Sequence, residues 1–521
     1  MGKDRLAAAD VKQAYIGLCS GINVIQWLYM LAQGSTIYNY KGVFVLIFAD
    51  LFFIYFFLPL CLTMYFFTKK IKYRNRVLIG FSLVFYAWGE PVWVFILLLS
   101  SVINYFAALA IYNNRNNSRA KLLMALVTIW DLGVLFCFKY IGFFVGNFNS
   151  WFGLHIPVPK ISLPIGISFY TFQTLSYVID VYRCKVDVQR SYSKLLLYIS
   201  LFPQLVAGPI VRYSTIADEI DRRRITLKDI SDGVSRIILG LGKKVIIANS
   251  ISTIVESLFG KMKDGYEAMG NVTVLGTWYG AVLVGLWYYY DFSGYSDMAI
   301  GMGRIFGFHF DENFKYPYIC TSITEFWRRW HISLSTWFRD YVYIPLGGNR
   351  KGKTRQCVNI MIVWSLTGFW HGASWNFMIW GAYFGALLLL EKLYLLKKLE
   401  RTNAFVQHLY AVALVAIGWG IFYFEDFKSL GKFFKSLIGF APGGFTDLST
   451  NSLFTQNIWL FIAACALSTP LIPKIKRTIC TSQSAAKTFG TVGVLFNLAI
   501  LLISSMMLVN TTNNPFLYFK F

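Results

Sequence analysis

Long apolar runs separated by short basic loops set the pattern of the chain. Val43–Phe67 is an apolar run whose only acid is Asp50, and Lys69, Lys70, Lys72, Arg74 and Arg76 follow it. Further runs lie near Val77–Trp88, Val92–Ile111, Leu122–Phe148, Ile161–Val181, Leu195–Val211, Val234–Phe259 and Val272–Phe292. Others lie near Val358–Trp380, Phe377–Leu396, Phe405–Phe424, Ile458–Ile472 and Val492–Val509. At about 20 apolar residues per crossing, these predict roughly 11 to 13 transmembrane helices, some of them bent. No run alternates over about 10 residues as a barrel strand would. The expected class is an all-α polytopic membrane protein, with the basic loop after Phe67 in the cytoplasm.

Composition agrees. Of 521 residues 56% are hydrophobic and 14% charged, against roughly 25% charged in a soluble protein. The net charge of +23 sits mostly in loops between apolar runs, which favours topology and lipid headgroups over nucleic acid. The eight cysteines include no C-x-x-C pair, so neither a disulfide framework nor a zinc site is expected. Residues 1–41 carry an apolar run, Tyr15–Ala32, with no cleavage pattern after it. They read as an extra or interfacial helix preceding one membrane domain over 42–521.

Between Phe292 and Val358 the chain is too polar to span and too aromatic for a plain loop, so it is expected to be re-entrant or interfacial. Irregular backbone at membrane depth persists only where it lines a cavity or is buried in protein. Gly276–Gly280 and Gly381–Gly385 have the spacing of close helix packing. Gly301-Met302-Gly303 and Gly242-Lys243-Lys244 fail as dinucleotide and phosphate loops, and no metal-ligand spacing or G-x-S-x-G elbow occurs. Asp180 and Arg183 are spaced for a local ion pair.

The chemistry then rests on two of five histidines. His155, His309 and His408 read as structural or solvated. His331 follows Trp330, and a helix there would put Arg328, His331 and Ser335 on one face. His371 follows Trp370 inside an apolar run, where an ionisable group is a functional hypothesis by default. Imidazole suits proton transfer near neutrality, although a histidine bonded between helices is the plain alternative. Ser335 as a nucleophile lacks an orienting acid. Cys320 is the nearest thiol in sequence.

The motifs around these residues resemble the membrane-bound O-acyltransferase family, in its bacterial polysaccharide-acetylating branch. The likeness runs from about Gly42 onward. It rests on Leu163–Gln173, on Phe202–Arg212, on Asp291–Ala299, and on Phe326 through His331 to Tyr343-Ile344-Pro345-Leu346-Gly347-Gly348-Asn349-Arg350. Phe369-Trp370-His371-Gly372 and the end Asn514–Phe521 complete it, with Lys520 departing from the usual glutamine.

The resemblance implies a ring of helices around a central tunnel with His371 and His331 near its middle as catalytic residues. Trp330, Trp370, Ser335, Asp297 and Asn376 are expected to line that tunnel. It implies acyl transfer from cytoplasmic acetyl-CoA, with no permanently bound cofactor, to a polysaccharide outside a bacterial cytoplasmic membrane. An extracytoplasmic partner protein is expected to hand on the acetyl group. Arg350, Lys351 and Lys353 form a cationic row that either contacts CoA phosphates or anchors to anionic lipid. Alternatives are D-alanyl transfer to an envelope polymer, a histidine-lined transporter or channel, and a non-catalytic scaffold.

Overall fold

Within a bilayer the backbone must satisfy its own hydrogen bonds, and long apolar runs do this as helices. A computed structural model describes residues 46–159, 161–261, 269–509 and 516, and among these the extended regular structure is all helical. The helix expected within residues 1–41 lies outside the described residues, as does most of the Asn514–Phe521 motif. Among the described residues six helices are long and apolar enough to cross a membrane: Val94–Asn113, Arg119–Lys139, Leu227–Phe259, Trp375–Leu399, Ala404–Tyr423 and Gln483–Val509. A seventh is obtained if Ile458–Leu467 and Leu471–Ile479, bent by 68° at their junction, form one broken span.

Run length predicts roughly 11 to 13 crossings, and the remaining described apolar runs form shorter or less apolar helices. Several apolar runs fold into short pieces, such as Ile167–Tyr182 with 16 residues and Tyr192–Ser200 with 9. Run length therefore does not distinguish one long helix from several short pieces.

The elements that place the site are labelled in chain order. They are α1 (Arg119–Lys139), α2 (Ile167–Tyr182), α3 (Leu227–Gly242), α4 (Val274–Ile305), α5 (Ile323–Arg329), α6 (Ile332–Phe338), α7 (Lys353–His371) and α8 (Trp375–Leu390). α3 continues through a π turn, Lys243–Ala248, into Asn249–Phe259. α4 does not stop at Phe292 as the change in polarity suggested. It runs on for 32 residues in all, and α3 packed against it supplies cations for its acids.

α3 and α4 touch backbone to backbone. A Cβ on Gly240 would lie 2.5 Å from the carbonyl oxygen of Gly294, and one on Gly301 would lie 2.7 Å from that of Gly233. The order of these pairs makes the helices antiparallel. Gly381 and Gly385 likewise seat α8 against Trp364, Gly368 and Met361 of α7, and Gly276 and Gly280 meet Thr450 and Phe259. Both GxxxG pairs thus serve close packing, as their spacing predicts.

Cations on α3 and its π turn engage acids on α4. Arg236 and Lys243 hold Asp297 at 2.8 and 2.6 Å, and Arg236 also meets Glu312 at 2.5 Å. Lys244 pairs with Asp291 at 2.5 Å, both side chains being buried. Removing one partner of such a buried pair is costly, about 3–5 kcal/mol. The expected Asp180–Arg183 pair does not form. α2 ends at Tyr182, and Arg183 turns to the carbonyl of Asp340 at 2.9 Å while Asp180 accepts from the Tyr341 hydroxyl at 2.7 Å.

Two apolar clusters fill the interior. One gathers residues from Leu46 to Val245 with Tyr295–Phe310, Leu334–Tyr341 and Trp370. The other gathers Ala248–Tyr290, Cys320–Trp330 and Phe377–Leu437. The chain passes between them at six places: Val245 to Ala248, Tyr290 to Tyr295, Phe310 to Cys320, Trp330 to Leu334, Trp370 to Phe377 and Ala464 to Leu508. The polar side chains Asp291, His331, His371 and Asn376 fall at three of these passages.

Candidate functional site

His331 does not continue a helix. α5 ends at Arg329, Trp330 is extended, and His331 has φ 43° and ψ 55°. This left-handed conformation is uncommon for a residue with a Cβ and costs of order 1–3 kcal/mol, a kind of strain that clusters at functional sites. The expected shared face of Arg328, His331 and Ser335 is therefore lost. The Ser335 hydroxyl turns back to the carbonyl of Trp327 at 3.4 Å.

A short segment clamps His331 in place. The carbonyl of Asn313 accepts from the Ile332 amide at 3.0 Å, and the Lys315 amide donates to the Arg329 carbonyl at 2.9 Å. The side-chain oxygen of Asn313 lies 3.2 Å from His331 Nδ1. It also accepts from the Ser333 amide at 3.2 Å and the Ser333 hydroxyl at 2.9 Å. The Asn313 amide nitrogen donates to Ser296 of α4 at 3.1 Å, and the Ser333 hydroxyl accepts from the Ile210 amide at 3.1 Å.

His371 is the last residue of α7. Its ring stands nearly perpendicular to those of Trp370, Trp380 and Phe422, at 5.0, 5.1 and 5.2 Å between centroids. The His331 ring lies 4.7 Å from Phe292 and 6.1 Å from Trp370. Trp370 is thus shared, and the two imidazoles are no farther apart than the sum of their distances to it. They are 1% and 8% exposed, so neither belongs to the outer surface.

The carbonyls ending α7 are held from α1. Lys139 donates to Trp370 at 2.7 Å and to His371 at 3.2 Å, and the adjacent Tyr140 hydroxyl donates to Phe369 at 2.9 Å. A cation at a helix C-terminus satisfies orphan carbonyls and opposes the negative end of the dipole. Similarly, Glu391 caps the start of α5, accepting from the amides of Ile323 and Thr324 at 2.6 and 2.8 Å.

Other expected site residues divide by location. Trp370 neighbours both imidazoles, at 6.1 Å from the His331 ring and 5.0 Å from the His371 ring. Trp330 lies next to His331 in sequence but packs on Phe326 and Trp419. Asn376 is buried and donates to the Phe422 carbonyl at 3.2 Å, beside His371. Asp297 belongs to the α3–α4 ion-pair cluster with Arg236 and Lys243 rather than to an imidazole. Arg350, Lys351 and Lys353 are exposed before and at the start of α7. Cys320 is fully buried among apolar residues, which disfavours the thiolate a nucleophile needs.

Asn313, Ser333 and Lys139 were not singled out from sequence. A lone lysine inside the apolar run Leu122–Phe148 was the available signal for Lys139. Asn313 and Ser333 carry no comparable signal, because their role depends on a left-handed residue between two short helices.

Residues 122–424 match the model for MBOAT, the membrane-bound O-acyltransferase family. The chain is 38% identical to the probable alginate O-acetylase AlgI of Azotobacter vinelandii, over 80% of this chain and 83% of that protein. It is 36% identical to the probable alginate O-acetylase AlgI of Pseudomonas putida, over 91% of this chain and 100% of that protein. It is 32% identical to the peptidoglycan O-acetyltransferase of Helicobacter pylori, over 78% of this chain and 82% of that protein.

Proposed function

The chain belongs to the membrane-bound O-acyltransferase family, and on that premise we propose that it transfers acetyl groups from cytoplasmic acetyl-CoA to a polysaccharide outside the bacterial cytoplasmic membrane. An extracytoplasmic partner protein receives the acetyl group and passes it to the polymer. The observation that carries this reading is the pair of buried histidines sharing Trp370 where the chain passes between its two apolar clusters. The alginate and peptidoglycan acetylases to which about four-fifths of the chain is similar support acetyl as the group moved.

In this mechanism His371 is the general base. The acceptor hydroxyl attacks the thioester carbonyl carbon and gives its proton to the imidazole. The tetrahedral oxyanion collapses, the carbon–sulfur bond breaks, and the departing CoA thiolate takes the proton back. His331 assists by orienting the acceptor or by polarising the thioester carbonyl. Only the acetyl group crosses. Moving CoA itself would take its phosphates out of water at a large desolvation cost. Arg350, Lys351 and Lys353 offer those phosphates a cationic row on the cytoplasmic face.

The test is purified protein in proteoliposomes given acetyl-labelled CoA with a polysaccharide acceptor and its partner. Acetyl ester on the polymer and free CoA in equal amounts are expected. Transfer from a D-alanyl carrier with none from acetyl-CoA would replace acetyl by D-alanyl. Solute flux with no CoA release would replace the enzyme reading by a transporter.

A further inference from the structure

We infer that Asn313 is a positioning residue that locks His331 in the tautomer protonated at Nδ1, so that in its neutral form His331 meets substrate only as a hydrogen-bond acceptor, through Nε2. This deepens the reading above and rests on it for the role of His331 in transfer.

The backbone amide of Ser333 can only donate, and it points at the Asn313 side-chain oxygen at 3.2 Å. That fixes the orientation of the Asn313 amide, because a flipped side chain would set two donors against each other. The opposite end agrees, since the amide nitrogen then donates to the Ser296 hydroxyl at 3.1 Å. His331 Nδ1 has two polar neighbours, the Asn313 oxygen at 3.2 Å and the Ser333 hydroxyl at 3.5 Å. The hydroxyl gives its one proton to the same Asn313 oxygen over the shorter distance of 2.9 Å, so Nδ1 faces acceptors and carries the proton. A neutral imidazole has one protonated nitrogen, so Nε2 holds the lone pair.

The two roles left open for His331 are thereby separated. A carbonyl oxygen needs a donor, which neutral His331 does not present at Nε2. A hydroxyl needs an acceptor, which it does present. The attacking hydroxyl has one proton and gives it to His371, so His331 orients the acceptor by accepting from a neighbouring O–H or N–H of it. Its left-handed backbone and the Asn313–Ser333 bonds hold the ring in that pose. The other titratable groups at this junction are His371 and Lys139.

Nitrogen NMR of the full chain in lipid, labelled with 15N-histidine, reads the tautomer without any activity. Only five histidines contribute, and subtraction of the spectrum of His331→Ala, or of His331→Gln should the first not fold, identifies its signals. A protonated Nδ1 with an unprotonated Nε2 is expected, and the reverse assignment overturns the inference whatever the enzyme does.

Asn313→Asp provides the kinetic arm. A carboxylate at the same place stabilises the imidazolium, so the acid limb of the pH–rate profile should move up by about 1–3 pH units, with the rate recovering at high pH. A profile identical to wild type would remove Asn313 from the site. If His331→Ala keeps the wild-type rate while the NMR shows the Nδ1 proton, the catalytic role of His331 fails and the tautomer assignment stands.

Discussion

The ammonium of Lys139 donates to the carbonyl of Trp370 at 2.7 Å, joining residues 231 positions apart and fixing the turn that carries His371. Its other partners, the His371 carbonyl at 3.2 Å and Ser168 at 3.4 Å, complete a cap made from α1 and α2. Lys139→Met keeps the aliphatic stem and removes the donor. A buried carbonyl left without its donor costs about 1–3 kcal/mol, so a lower thermal midpoint and at least a tenfold loss of transfer are expected. Wild-type values for both, measured on purified protein, would show that the cap does not hold His371.

Glu391 holds the other approach to the site. Glu391→Ala leaves the amides of Ile323 and Thr324 without their acceptor, and burial makes each such loss about 1–3 kcal/mol. Limited proteolysis should then cut faster near residues 320–330. Unchanged cleavage there would mean that α5 is capped by something else.

The α3–α4 contact leaves no room for side chains. Gly240→Leu should abolish folded protein, because even a Cβ would sit 2.5 Å from the Gly294 carbonyl oxygen. Gly80→Ala is the control: nothing lies within 4 Å of the added carbon, and alanine favours helix over glycine by about 1 kcal/mol. Gel-filtration yield distinguishes the two, and equal yields would contradict the packing.

These elements also show what the sequence makes legible. The Trp–His pairs stand out because an imidazole among apolar residues is expensive to bury without a purpose, and the structure gathers both around Trp370. GxxxG spacing is read correctly because it reports backbone approach directly. The break at His331 is invisible, since nothing in Arg329-Trp330-His331-Ile332 forces φ to 43°. The clamp by Asn313 depends on that break and is invisible with it. Lys139 is visible as an isolated charge, but its partners come from a helix end far along the chain. The ion pairs of Asp297 are invisible too, because its cations, Arg236 and Lys243, come from a separate stretch of the chain.

The cationic row before and at the start of α7 gives a topological prediction. Thr354→Cys, at an exposed position beside Lys353 and Arg355, should resist a membrane-impermeant thiol reagent added to intact cells and react after lysis. The exposed Cys137 and Cys184 are first replaced by serine. Efficient labelling of intact cells would put this row, and the proposed contact with CoA phosphates, on the wrong face.

The central claim is that His371 takes the proton from the acceptor. Its most direct test is the rate of acetyl transfer from labelled acetyl-CoA by wild type and by His371→Ala, each purified and matched for folded protein. Loss of a general base costs about 10²–10⁴-fold in rate, so a fall of that size is predicted while the variant still folds and reaches the membrane. A variant keeping about half the wild-type rate, a difference well under ~1 kcal/mol in barrier, would contradict the account.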